Sequence, residues 1–278
     1  MSKKKHQGPK VLIVDIETSP LVVYTFGTFD QNIGNNQIIQ DSKIISWSAK
    51  WHQDVHGHVN GPHNKVMYMD QRKNGPITDE DPKLLKGIWD LLDEADIVVG
   101  QNSKKFDIKR LNTAFLYAEL GEPSSFKQMD TLQIAKSRFA FTSNKLEFTT
   151  DKLNKKYKKL SHGKFPGFSM WSECMKGNKE AWKEMEVYNK HDVLSTEEYF
   201  NTIQSWAHTG PNFSAYYDSY HHICRCGSIE FEKRGYFISA AGAKFQRLKC
   251  KTCGAEIRDG KNLTDKEKRD SLKKNTTR

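Results

Sequence analysis

Val11-Leu12-Ile13-Val14-Asp15-Ile16-Glu17 is the stretch that decides the fold. The four leading apolar residues read as a buried strand, and the two-residue period of a strand puts Asp15 and Glu17 on one face near its end. Two unpaired anions at the end of a core strand would cost about 3 kcal/mol or more each in lost hydration. A divalent cation between them removes that cost, so a metal site at the edge of a sheet is the first expectation.

Two further clusters carry the same chemistry. Ile97-Val98-Val99 reads as a second strand, broken at Gly100, after which Asp107 opens an amphipathic segment through Leu111, Phe115 and Leu116. Alone, Asp107 would be read as a helix cap. Between Lys179 and Thr202 the residues Ala181, Trp182, Met185, Tyr188, Val193, Tyr199 and Phe200 recur mostly three and four apart, the buried stripe of a helix. Asp192 lies on that stripe, and Tyr188, four residues earlier, projects from the same face one turn away.

In order and spacing, Asp15-Ile16-Glu17, Asn102-Ser103-Lys104-Lys105-Phe106-Asp107 and Tyr188-Asn189-Lys190-His191-Asp192 resemble the three exonuclease motifs of the DEDD superfamily. The third is the tyrosine form, similar to that of the proofreading domains of family B DNA polymerases. The histidine form would need His where Val187 stands, and His191 is expected to be a surface or satisfied side chain. The resemblance covers residues 10 to 205. It implies an α/β fold with a ribonuclease-H-like mixed sheet flanked by helices, and 3′-5′ exonuclease activity with two Mg²⁺ or Mn²⁺ ions. Asp15, Glu17 and Asp192 would hold one ion, Asp15 and Asp107 the other, and Tyr188 would orient the attacking water. Oxygen-only ligands suit those hard cations, and two ions about 4 Å apart are suited to phosphodiester hydrolysis. Thr18, Asn102 and Phe106, within or beside these motifs, are expected against substrate.

Charge supports a polyanionic partner. The net charge of the 278 residues is +10, of which residues 1–10 and 261–278, read as basic tails, carry +8. Within the body, Lys152, Lys155, Lys156, Lys158, Lys159 and Lys164 share one stretch with a single acid, Asp151. Lys155, Lys156, Lys158 and Lys159 are the expected phosphate contacts, against the alternative of a solvated face. Single-stranded or frayed DNA is the expected substrate, RNA the alternative, and a non-catalytic nucleic-acid adaptor a third reading. No apolar run approaches the length of a bilayer span and no signal-peptide core follows Met1, so a cytoplasmic protein with no membrane partner and reduced cysteines is expected.

Further strands are expected at Leu21 to Phe26, Lys43 to Trp51 and Lys65 to Met69, consecutive and antiparallel, and at Phe126 to Met129. Helices are expected from Pro82 through Ala95, Asp130 through Arg138 and Lys145 to Asn154. Asp130 reads as a cap.

A second domain is expected over residues 218–260, after an exonuclease domain at 11–205. Cys224-Arg225-Cys226-Gly227 and Cys250-Lys251-Thr252-Cys253-Gly254 are two cysteine pairs, each closed by glycine. Four soft ligands suggest one structural Zn²⁺, and the pairs resemble a zinc ribbon. The first pair is one residue shorter than the usual Cys-x-x-Cys, which leaves His221 or His222 as an alternative to Cys224. Phe231, Tyr236, Phe237 and Phe245 alternate with Lys233, Arg234, Lys244, Arg247 and Lys249, either as a base-stacking surface or as a minimal core. The ribbon could also dock a replication or repair protein. The pairing of exonuclease and ribbon resembles stand-alone phage and bacterial proteins described as predicted exonucleases.

Overall fold

A computed structural model describes residues 8–73, 77, 79–158, 160, 163–218 and 221–272. Lys159, the first seven residues and the last six lie outside them. The described chain divides into two compact units, one drawn from residues 9–53 and 59–203, the other from residues 8, 54–58 and 204–272.

The larger unit is a mixed sheet flanked by helices, as expected. Its elements run β1 (Val11–Thr18), β2 (Val22–Val23), β3 (Ile38–Gln40), β4 (Ile44–Trp51), β5 (Val66–Asp70), α1 (Pro82–Glu94), β6 (Ile97–Gly100), α2 (Asp107–Tyr117), β7 (Lys127–Asp130), α3 (Thr131–Arg138), α4 (Leu146–Leu153), α5 (Ser169–Met175) and α6 (Lys179–Ile203). The strand order is β5-β4-β1-β6-β7. β4 pairs antiparallel with β1 and with β5, while β6 runs parallel to β1 and β7 parallel to β6. This places β1 at the centre of the sheet.

Alternation along β1 sorts its side chains. Leu12, Val14 and Ile16 enter a core with Trp47, Ala49 and Trp51 of β4 and with Leu84, Leu85, Ile88 and Leu92 of α1 and Ile108, Leu111 and Phe115 of α2. Asp15 and Glu17 therefore face the other side of the sheet, where α6 packs. β4 shows the same division. Ser46 and Lys50 meet α6, through a 3.4 Å contact from Ser46 Oγ to Asn189 Oδ1 and a 2.5 Å ion pair from Lys50 Nζ to Glu197 Oε1. Ser46 and Lys50 are thus buried beneath α6 with partners there, while the buried Ser48 Oγ between them has none among the described residues.

The segment Leu21 to Phe26 is not a strand of this sheet. Only Val22–Val23 is extended, and it pairs with β3 in a separate two-stranded sheet. Tyr24 and Phe26 are exposed, so no partner covers the apolar run that suggested a strand, and Pro20 interrupts the chain just after β1. The short helix α5 is an element the sequence reading lacked. It buries Met170 and Cys174 against Ala181, Trp182 and Met185 of α6. Cys174 is accordingly a packed thiol, pushed up to about 12 by burial.

The smaller unit contains a three-stranded antiparallel sheet, β8 (Phe231–Ile238), β9 (Lys244–Cys250) and β10 (Glu256–Asn262), with β9 central, followed by α7 (Lys266–Ser271). Among the described residues, no helix is long and apolar enough to cross a membrane.

Candidate metal centres

Asp15 and Glu17 leave β1 on the face covered by α6, and Asp192 comes down from α6 to meet them. One carboxylate oxygen from each of the three lies within 4.8 Å of the others. Asn189, one turn before Asp192 and fully buried, donates to Asp15 Oδ2 at 2.6 Å. Trp171 Nε1 on α5 donates to Glu17 Oε2 at 3.1 Å. Tyr188 stands edge-on to the Trp171 ring at 6.0 Å and hydrogen-bonds Asp192, its partner one turn on.

Asp107 is placed differently. It is the first residue of α2 and does not cap it, because its carboxylate turns toward β1 and Oδ1 accepts the Ile16 amide at 3.1 Å. It stands outside the three-carboxylate group, yet close enough to raise the Asp15 pKa.

Electrostatics show what the cluster would accommodate. The Asp15 carboxyl is pushed well above the usual carboxylate range, first by burial among protein atoms and then by Glu17, Asp192 and Asp107. Burial pushes Asp107 up to about 7, against the opposing Ile16 amide. The Tyr188 phenol is also raised, by burial and then by Asp192, Glu17 and Asp15, so it remains a protonated donor. Three or four carboxylates in one place without a cation are mutually destabilising, and an all-oxygen donor set fits a hard divalent ion.

Asp130 is a cap, as expected, with a second duty. Its carboxylate accepts from Leu132 and Gln133 at the start of α3 and from the Asn102 and Lys104 amides at 3.0 and 3.2 Å. It thereby fixes the loop before Asp107, in which Asn102 adopts φ +62°. Phe106 is partly exposed beside the Arg110 guanidinium. Thr18 ends β1 at a small cleft that Arg110 also lines. His191 is half-buried, edge-on to Tyr157, with Nδ1 unpartnered and its pKa lowered by burial, so it is neither a surface nor a fully hydrogen-bonded histidine.

The described lysines of the stretch, Lys152, Lys155, Lys156, Lys158 and Lys164, are exposed, and its backbone is clasped. The amides of Lys155, Lys156 and Tyr157 all donate to the Glu198 carboxylate, at 2.7 to 3.2 Å. Those of Gly163, Lys164 and Phe165 donate to Glu184, at 2.9 to 3.4 Å. Both acids belong to α6. Lys158 pairs with Asp151 at 3.4 Å and Lys164 with Glu180.

In the smaller unit Cys224, Cys226, Cys250 and Cys253 bring four sulfurs within 4.8 Å of one another. Cys224 Sγ is 3.4 Å from Cys253 Sγ, and Cys226 Sγ is 3.7 Å from Cys250 Sγ. A tetrahedral ion with metal-sulfur bonds of about 2.3 Å has sulfur-sulfur edges of about 3.8 Å. Gly227 (φ +85°) and Gly254 (φ +73°) close the two turns in the left-handed region, and their amides return to the carbonyls of Cys224 and Cys250. The four thiols suffice for a four-coordinate ion without His221 or His222, both of which are exposed.

No protein-family model and no curated protein matches the chain. Among solved structures it is similar to the family B DNA polymerase of the hyperthermophilic archaeon Pyrobaculum calidifontis, at 15% identity and a TM-score of 0.46. The match covers 75% of this chain and 27% of that one, so the chain spans about a quarter of the polymerase's length.

Proposed function

We propose that the chain is a metal-dependent 3′-5′ exonuclease that hydrolyses phosphodiester bonds at single-stranded or frayed DNA ends. The observation that carries this reading is the convergence of Asp15, Glu17 and Asp192 within 4.8 Å beneath a tyrosine hydrogen-bonded to one of them. Polarity and the choice of DNA rest on the resemblance of the three motifs. The chemistry that bound Mg²⁺ or Mn²⁺ would supply is charge neutralisation at the phosphodiester and a lowered pKa for water. The chain's own contribution is placement. Asn189 fixes the Asp15 carboxylate, Trp171 fixes Glu17, and the protonated Tyr188 phenol offers a donor beside Asp192 that can orient water. Asp107, tied to the Ile16 amide next to Asp15, would serve a second ion.

End-labelled DNA and RNA oligomers, incubated side by side with and without Mg²⁺ or Mn²⁺, test the proposal. Stepwise shortening of DNA from the 3′ end with metal is the expected result. Shortening of RNA alone would make the protein an exoribonuclease, and no cleavage of either would leave a binding protein.

Tyr188→Phe is expected to lower turnover by about 10- to 100-fold, because one positioning hydrogen bond to a charged group contributes about 1.5 to 3 kcal/mol. Substrate affinity should hardly change. An unaltered rate would make Tyr188 a packing residue only.

Replacing Lys155, Lys156 and Lys158 together by alanine should flatten the log-log salt dependence of single-strand binding by about 1 to 2 units, given about 0.7 per phosphate contact. The fold of the stretch should survive, because Glu198 holds main-chain amides there. An identical slope would return these lysines to a solvated face.

A further inference from the structure

A cleft of about 770 Å³ opens in the smaller unit, lined by Arg225, Arg247, Lys249 and Arg258 and by the rings of Trp206 and Phe237. Among the lining residues these four cations face one carboxylate, Glu256, which lies 3.7 Å from Arg247 Nη1. The cleft therefore carries a surplus of positive charge that a polyanion would neutralise.

The guanidinium groups are held in place. Arg225 Nη1 donates to the Gln204 carbonyl at 3.1 Å, and Arg247 Nε donates to the Arg234 carbonyl at 2.8 Å. The Arg258 guanidinium lies over Phe245, 4.2 Å from its centroid, and 5.4 Å from that of Phe237. Each arginine has five N–H donors, so one backbone bond leaves most of the fork available to an incoming oxyanion. Beside them, Trp206 and Phe237 are 52% and 42% exposed, with the Arg258 guanidinium against Phe237, so part of each ring is accessible to a flat partner.

Fixed cations next to part-exposed aromatic rings match a single nucleic-acid strand, whose phosphates pair with the guanidinium groups while unstacked bases lie on the rings. A duplex keeps its bases stacked on one another, and an acidic peptide has no use for the ring faces. We propose that this cleft is a binding site for single-stranded nucleic acid. The inference goes beyond the cleavage reading, since it requires binding and no turnover.

The test is fluorescence anisotropy with the full chain and no added divalent ion, using fluorescein-labelled twelve-residue oligothymidylate, an abasic strand of the same length and polyglutamate as competitor. Oligothymidylate should bind about tenfold or more tighter than the abasic strand, the expected return from base stacking. Trp206→Ala should remove most of that difference while leaving abasic binding in place. Lys249→Gln with Arg258→Gln should weaken both strands and flatten the salt slope by about 1 to 1.5 units. Equal affinity for the two strands would overturn the proposal, and displacement by polyglutamate at matched charge would reassign the cleft to an acidic protein segment. Should a variant misfold, photocrosslinking of a 4-thiothymidine strand to the unmodified chain decides. Crosslinks at residues 204–208 or 237 support the site, and crosslinks elsewhere alone reject it. Because no cleavage is measured, this outcome is separable from that of the carboxylate cluster.

Discussion

Asp15→Ala is expected to lower metal-dependent strand cleavage by about 10³-fold or more, equivalent to roughly 4 kcal/mol of transition-state stabilisation. Asp15 belongs to the three-carboxylate group and is adjacent to Asp107, so its loss removes the ligand both ions would share. The isosteric Asp15→Asn variant provides a second, independent readout. In the metal-free protein the Asp15 carboxyl is raised above its ordinary 3.8, so the folded state holds that proton more tightly than the unfolded chain. The penalty of charging it is absent at low pH and grows as pH rises above 3.8 toward the folded value, where metal-free stability falls. Asn cannot ionise and can still accept from Asn189. Metal-free Asp15→Asn should therefore unfold at a higher temperature than wild type at neutral pH, and Mg²⁺ should stabilise only the wild type. Retention of more than about a tenth of wild-type cleavage at saturating metal would remove Asp15 from the site.

Elemental analysis of protein purified without chelator should find one zinc per chain, and stripping it should unfold the smaller unit. Four thiols at tetrahedral spacing are the reason. Apparent binding free energies of about 10 to 16 kcal/mol for structural zinc are more than a three-stranded sheet with exposed Tyr236, Phe237 and Ile238 can replace from its own core. Cys226→Ser should cause the same loss, since Cys226 is fully buried in the sulfur cluster. The sheet of the larger unit should keep its own cooperative unfolding. Absence of zinc would reject the centre, and undiminished zinc in Cys224→Ser would transfer that ligand to His221 or His222.

Asp15, Glu17 and Asp192 were legible because each sits on an element with a strict period. Two-residue alternation put Asp15 and Glu17 on one face of β1, and the α6 stripe put Tyr188 beside Asp192. Asn189 was legible in principle, three residues before Asp192 on that stripe, but an amide among apolar residues carries no charge to attract notice. Trp171 was not legible. Its contact with Glu17 spans 154 residues and depends on α5, too short for a clear periodic signal. Asp107 was singled out by its motif alone, since its position at a helix start reads as a cap and no local pattern reveals that its carboxylate serves the Ile16 amide of a neighbouring strand. The false strand at Leu21 to Phe26 failed for the opposite reason, since apolar composition there reflects an exposed surface.

The two α6 carboxylates that clasp the lysine stretch bear on how this protein can change over time. Glu184 and Glu198 hold main-chain amides, which every residue except proline provides, so the exposed side chains of Lys155, Lys156 and Lys164 are not needed for those contacts. The charge those lysines carry is therefore free to drift, or to be redesigned, while α6 and the carboxylates beneath it stay in place. Such a division makes the stretch a place where an engineer can exchange surface charge without disturbing the helix that carries Asp192.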